Sequence, residues 1–118
     1  MAFNISFSAQ SYLFVPGNRP ERFQNALSSG ADAVIVDLED AVEPRAKEDA
    51  RATLTAWLSR THPVLVRING RGTPWFEEDA KLAALDGVAG VVVPKVESAS
   101  DVIEVASRAR RKVPIFPL

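Results

Sequence analysis

An α/β fold built on a parallel sheet is the architecture this sequence predicts, and three observations predict it. Short apolar segments alternate with longer amphipathic ones in the order βαβαβαβαβ, which implies parallel strands joined by right-handed crossovers. The run Ala33-Val34-Ile35-Val36-Asp37 is continuously apolar until its last residue, the pattern of a strand covered on both faces. The unusual polar residues all follow the apolar segments, at what would be one edge of the sheet. Two architectures fit. An open doubly wound sheet is complete in about 120 residues. A (β/α)₈ barrel needs about 250, so 118 residues would make roughly its first half.

The elements follow in order. Met1 to Ser11 is polar and mixed and reads as a loose arm. Tyr12-Leu13-Phe14-Val15 is the first strand, stopped by Pro16-Gly17. Asn18 is placed to cap a helix, with Pro20 and Glu21 in its first turn, Phe23, Ala26 and Leu27 as its apolar stripe and Gly30 at its end. Ala33 to Asp37 is the second strand. A long helix is expected over Pro44 to Ser59, with Ala50, Leu54, Trp57 and Leu58 facing inward. Val64 to Asn69 is the third strand, and Thr73-Pro74 opens a helix that runs through Leu85. Gly90 to Pro94 is the fourth strand. Ser98 or Ser100 caps a fourth helix to about Arg110, and Pro114 to Leu118 starts a fifth strand.

Composition excludes several functions. Apolar content of 47% and charged content of 25% are ordinary for a globular protein. A net charge of −1 gives no electrostatic support for nucleic-acid or membrane binding. Cysteine is absent, which removes disulfides, thiolate nucleophiles and Cys-ligated metals. Neither a signal-peptide pattern nor an apolar stretch of about 18 residues is present, so a cytoplasmic protein is expected.

The chemistry centres on Arg67. In an alternating strand Leu65, Arg67 and Asn69 share one face, and Val64, Val66 and Ile68 share the other. A guanidinium in a buried strand is costly unless an anion meets it. That anion is either a structural carboxylate or a substrate oxygen, and the planar fork suits both. Asp37, Glu39 and Asp40 end the second strand. They could ligate Mg²⁺, hold its waters, or pair with Arg67 or Lys95. Arg19 and Arg22 flank a helix start able to receive phosphate, although no GxGxxG or GxxxxGK[ST] motif accompanies them. Lys95 could bind an anion or pair with a carboxylate; nothing marks it as a Schiff-base lysine. His62 precedes the third strand, at the opposite end of the sheet, and reads as a surface residue. Trp57 and Phe23 read as core, and Trp75 and Phe76 as a wall of the site or a staple for the third helix.

Four linked motifs then carry a resemblance over nearly the whole chain. They are Ser11-Tyr12-Leu13-Phe14-Val15-Pro16-Gly17-Asn18-Arg19-Pro20-Glu21-Arg22, Gly30 through Val42, Val66-Arg67-Ile68-Asn69, and Val93-Pro94-Lys95-Val96-Glu97-Ser98. In order and spacing the chain resembles the amino-terminal half of the citrate lyase β-subunit-like proteins, in the HpcH/HpaI aldolase superfamily. The resemblance implies a (β/α)₈ TIM barrel of the phosphoenolpyruvate-binding type. This chain would supply about its first four βα units and the start of strand five, as the amino-terminal part of one domain. It implies Mg²⁺-assisted retro-Claisen cleavage of a 3-hydroxy acyl thioester into an acyl thioester and a 2-oxo acid. The carrier would be CoA or acyl-carrier protein, and the protein a homo-oligomer or part of a larger lyase complex. By resemblance Arg67 is the catalytic, substrate-binding arginine, with Asn69 and Lys95 beside the substrate. Asp37, Glu39 and Asp40 would be acidic neighbours of the metal, and Arg19 and Arg22 would lie near the CoA or phosphopantetheine arm. The family's metal-ligating glutamate would come just after Leu118, so no direct metal ligand is expected within the chain. The chain alone is therefore expected to be an inactive fragment.

Two readings from other classes compete. One is a small open-sheet binding or receiver-like module with an acidic pocket. The other is a structural half-barrel that needs a partner chain.

Overall fold

Strand order follows chain order. The computed structural model describes residues 11–59, 62–94, 99–108 and 113–117. Within it β1 (Tyr12–Pro16), β2 (Ala33–Asp37), β3 (Val64–Arg67), β4 (Val88–Val93) and β5 (Ile115–Pro117) form one sheet in the order β1-β2-β3-β4-β5. Every neighbouring pair is parallel. A doubly wound sheet reverses its order at a switch point, and this sheet does not. The open receiver-like module therefore loses its architectural basis.

The helices are α1 (Phe23–Leu27), α2 (Lys47–Trp57), α3 (Phe76–Ala80) and α4 (Ala99–Ala106). The main core joins one sheet face, through Val34, Val36, Val64, Val66, Val91 and Val93, to Phe23, Ala50, Leu54, Phe76, Ala80 and Val105 of the helices. Burying a side chain as large as Leu54 or Phe23 is worth about 1.5–3 kcal/mol. The opposite face holds a smaller cluster of Ala33, Ile35, Leu65, Ala89 and Val92 with Phe116 packed on it. Tyr12 and Phe14 pair with Ala33 and Ile35 in register, so they belong to that second face, where both are exposed.

β3 and β4 slip past one another once. Val64 pairs with Val88 but Leu65 pairs with Gly90, which leaves Ala89 as the extra residue. Gly90 must be glycine there: an added Cβ would lie 2.8 Å from the Leu65 and Phe116 side chains.

Several helix boundaries differ from the sequence expectation. Asn18 does not cap a helix. Gly17 N–H donates to Asp37 O and Arg19 N–H to Pro16 O, so this segment is a turn tied to β2. A 3₁₀ turn at Pro20–Arg22 precedes α1, and Arg19 at its cap makes no side-chain capping bond. The expected helix from Pro44 to Ser59 is a 3₁₀ turn, Pro44–Ala46, followed by α2. The expected helix from Thr73 to Leu85 is shorter: α3 passes into a 3₁₀ turn at Lys81–Ala84. β4 begins at Val88, two residues before Gly90. Among the described residues no helix is long and apolar enough to cross a membrane.

Candidate active site

The carboxyl ends of β1, β2 and β3 lie side by side, with Pro16, Asp37 and Arg67 at matching register positions. Asp37 and Arg67 therefore project from the same face, the one that also carries Phe14 and Leu65. Arg67 donates Nε–H to Asp37 Oδ1 at 2.9 Å and Nη2–H to Oδ2 at 2.6 Å, a two-pronged ion pair. The guanidinium carbon stands 4.7 Å from the centre of the Phe14 ring. Glu39 Oε1 lies 3.8 Å from Nε. The Asp37 side chain is 1% exposed and that of Arg67 14%.

Asp37 also shapes its own loop. Its Oδ1 accepts from Glu39 N–H at 2.8 Å and its Oδ2 from Ala41 N–H at 3.0 Å. Burial is the largest single influence on this carboxyl and pushes its pKa up. The hydrogen bonds from Arg67, Glu39 and Ala41 together outweigh it and hold the group below the ordinary Asp range. The Asp37 hydrogen bond in turn holds Arg67 more firmly protonated than a free arginine. Glu39 goes the other way: burial and then its hydrogen bond with Asp40 raise its pKa. The two carboxylates thus differ in character two residues apart.

Asn69 does not join Arg67. β3 ends at Arg67, and the alternation that would align the two side chains ends with it. Asn69 is 2% exposed, and its N–H and Nδ2–H both donate to Asp79 Oδ2 on α3, at 3.0 and 2.6 Å. Its Nδ2 also donates to Leu38 O at 3.0 Å. Asp40 is exposed. Arg19 and Arg22 are exposed as well, and the Arg19 side chain makes a 3.8 Å surface pair with Glu21. Among the described residues the polar and ring partners of the Arg67 side chain are Asp37, Glu39 and Phe14, and neither arginine is among them. Lys95 lies outside the described residues.

The aromatic expectations resolve plainly. Phe23 and Trp57 pack edge to face at 4.9 Å, Phe76 is buried in the main core, and His62 is exposed before β3. Trp75 lies 5.2 Å from Lys47 Nζ.

Lys47, Asp79 and Arg51 are members of the surrounding network that the sequence reading missed. Lys47 is 7% exposed and donates to Leu38 O at 3.0 Å and Glu39 O at 2.7 Å. Arg51 Nε–H donates to Asp79 Oδ1 at 3.0 Å. A signal was present for two of them. Lys47 shares the i, i+3, i+7 stripe with Ala50 and Leu54, and Asp79 shares one with Phe76 and Ala83.

Among the described residues, no group of three or more His, Cys, Asp or Glu could hold a metal ion. Asp37 is unsuited to direct ligation because each of its oxygens already accepts two hydrogen bonds.

The HpcH/HpaI aldolase/citrate lyase family profile matches residues 10–113. A citrate lyase subunit beta-like protein of Mycobacterium tuberculosis is 40% identical over 105 residues, which cover 89% of this chain and 38% of the relative. A (3S)-malyl-CoA thioesterase of Cereibacter sphaeroides is 36% identical over 113 residues, covering 92% and 38%. The solved citrate lyase beta subunit of M. tuberculosis, complexed with oxaloacetate and magnesium, matches with a TM-score of 0.78. Its identity is 38%, and the match covers 96% of this chain and 49% of that one. The M. tuberculosis protein CitE in complex with magnesium, acetoacetate and coenzyme A matches with a TM-score of 0.72 at 40% identity, covering 92% and 39%. The chain thus spans 38% of the length of each of these two curated relatives.

Proposed function

The chain belongs to the HpcH/HpaI aldolase/citrate lyase family, and on that premise we propose that it carries the substrate arginine of a carbon–carbon lyase. The strands described here would be the first of a (β/α)₈ barrel, with the second sheet face lining its interior. The substrate would be a 3-hydroxy acyl thioester of the citryl, malyl or citramalyl type. A base takes the hydroxyl proton, the carbon–carbon bond beside that carbon breaks, and a 2-oxo acid forms. The bonding electrons pass to the thioester enolate, which is then protonated.

One observation carries this reading. Arg67 stands at the carboxyl edge, fixed by Asp37 on one side and Phe14 on another. Its Nη1 makes no hydrogen bond to any described residue. A fork held along one edge presents its other edge to an incoming carboxylate or carbonyl, without reorganisation as charge develops. Asp37 is the positioning residue. Lys95, directly after Pro94 beyond β4, is proposed to bind the same anion, and the exposed Arg19 and Arg22 to meet the phosphate-bearing arm of the carrier. Asn69 is proposed to shape the loop rather than to touch substrate, because its donors are committed.

Magnesium accompanies ligands in the M. tuberculosis structures. We propose that the whole protein uses it to polarise the developing oxo acid. The described residues do not fit a direct ligand set, so the ligands would come from elsewhere in that protein. Asp37, Glu39 and Asp40 would stay one layer behind. The 118 residues alone are accordingly expected to be inactive.

The test is an assay of the full-length protein with citryl-CoA, malyl-CoA and citramalyl-CoA, with Mg²⁺ present. Release of oxaloacetate, glyoxylate or pyruvate supports the reading. Failure to cleave any of these thioesters sinks it.

A further inference from the structure

We infer that Lys47 is a positioning residue whose buried ammonium pins the loop that aims Asp37, and through Asp37 the guanidinium of Arg67. The inference rests on the lyase reading for its kinetic consequence but not for its structural one.

Lysine is rarely buried, and a residue needed only to fill the space beneath a loop would be apolar. Burial here disfavours the charged form and lowers the Lys47 pKa; Glu39, Asp37, Asp79 and Asp40 oppose that shift. The ammonium spends its donors on two consecutive carbonyls, Leu38 O at 3.0 Å and Glu39 O at 2.7 Å. These belong to the residues that follow Asp37. The Trp75 ring lies 5.2 Å from Nζ.

Leu38 is the hub of this arrangement. Its carbonyl accepts both Lys47 Nζ and Asn69 Nδ2. Its N–H donates to Arg67 O at 2.9 Å, and its side chain is fully buried. The Glu39 carbonyl likewise accepts Lys47 and the Val42 N–H. The loop turns around these two oxygens, and the turn brings the Glu39 and Ala41 amides onto Asp37. Without the ammonium, the buried Leu38 carbonyl keeps Asn69 and the part-buried Glu39 carbonyl keeps the Val42 amide, but both lose their charge-assisted bond and the loop is held less tightly. Asp37 then loses the amides that fix its carboxylate plane.

The test uses Lys47→Met in the full-length protein, which keeps the side-chain stem and removes the donor. Leu54→Ala loosens the same helix from the same buried stripe and serves as the control for general destabilisation. Hydrogen exchange is followed at the Glu39 and Ala41 amides and through β2 and β4. Lys47→Met is expected to speed exchange at Glu39 and Ala41 about tenfold or more while β2 and β4 keep wild-type protection. Competitive inhibition by oxaloacetate is expected to weaken about tenfold, with inhibition by coenzyme A unchanged. If Lys47→Met does not fold, Lys47→Gln is used, which keeps N–H donors but is shorter and uncharged, and it is expected to give a smaller loss at the same two amides. Unchanged protection at Glu39 and Ala41, or an even loss across the sheet like that of Leu54→Ala, overturns the inference. Failure of the lyase reading shows separately, as a wild-type protein that neither cleaves the thioesters nor binds oxaloacetate, and the exchange result still decides the role of Lys47.

Discussion

Asp37 and Arg67 face each other across adjacent parallel strands at the same register position, and two hydrogen bonds lock them together. The pair is lopsided: the Asp37 side chain is 1% exposed and that of Arg67 14%. Asp37→Asn should therefore do more harm than its size suggests. It leaves a largely buried guanidinium with a neutral partner, at an expected loss of about 2–4 kcal/mol in unfolding free energy. Urea denaturation of the full-length variant checks this, and kcat/KM should fall with it.

The pH dependence of stability has a definite sign. Asp37 has a folded pKa below its ordinary value of 3.8, so its contribution is present above that value and lost as pH falls through the lower folded one. Acid unfolding should therefore steepen below about pH 4 in the wild type. Asp37→Asn should flatten that limb, as urea midpoints measured between neutral and acid pH would reveal.

Glu39 has the opposite sign. Its folded pKa lies above the ordinary 4.5, so its ionised form is disfavoured in the folded protein and it stabilises only where it is protonated. Glu39→Gln should raise the urea midpoint at pH 7. The gain should shrink as pH falls into the ordinary Glu range. A variant equally shifted at both pH values would show that the effect is not ionisation.

Gly17 is required by the approach of β1 to the Asp37 loop. A Cβ there would sit 2.6 Å from Leu38 Cδ2 and 3.0 Å from Asp37 O. Gly17→Ala should cost about 1–3 kcal/mol, because the fully buried Leu38 side chain and the Asp37 carbonyl would have to shift to admit the methyl group. Thermal unfolding of the variant measures this.

Much of this arrangement is legible in the sequence, and the exceptions have physical causes. The Arg67 strand could be read because alternation is a local property: Val64 and Val66 meet the helices while Leu65 meets the second face. The gathering of Asp37, Glu39 and Arg67 at one edge followed from chain order alone. Which anion met Arg67 did not, because a carboxylate ending one strand and a substrate oxygen satisfy a guanidinium equally well until register is known. Asn69 was misplaced because period-two reasoning holds only while the strand lasts, and hydrogen bonds to Asp79 end it. Asn18 failed as a cap because the chain there bonds across to β2 instead of along a helix. Lys47 was overlooked because charge on a helix is ordinarily solvated, although its position on the apolar stripe marked it.

The most direct measurement is the steady-state kinetics of Arg67→Lys in the full-length protein, beside its thermal unfolding. A lysine keeps the charge but cannot hold Asp37 with two donors and offer a second edge to substrate. The expected result is a loss of about 10²–10³ in kcat/KM with the cooperative unfolding transition retained. Wild-type kinetics in that variant would contradict the placement of Arg67 at the reacting anion.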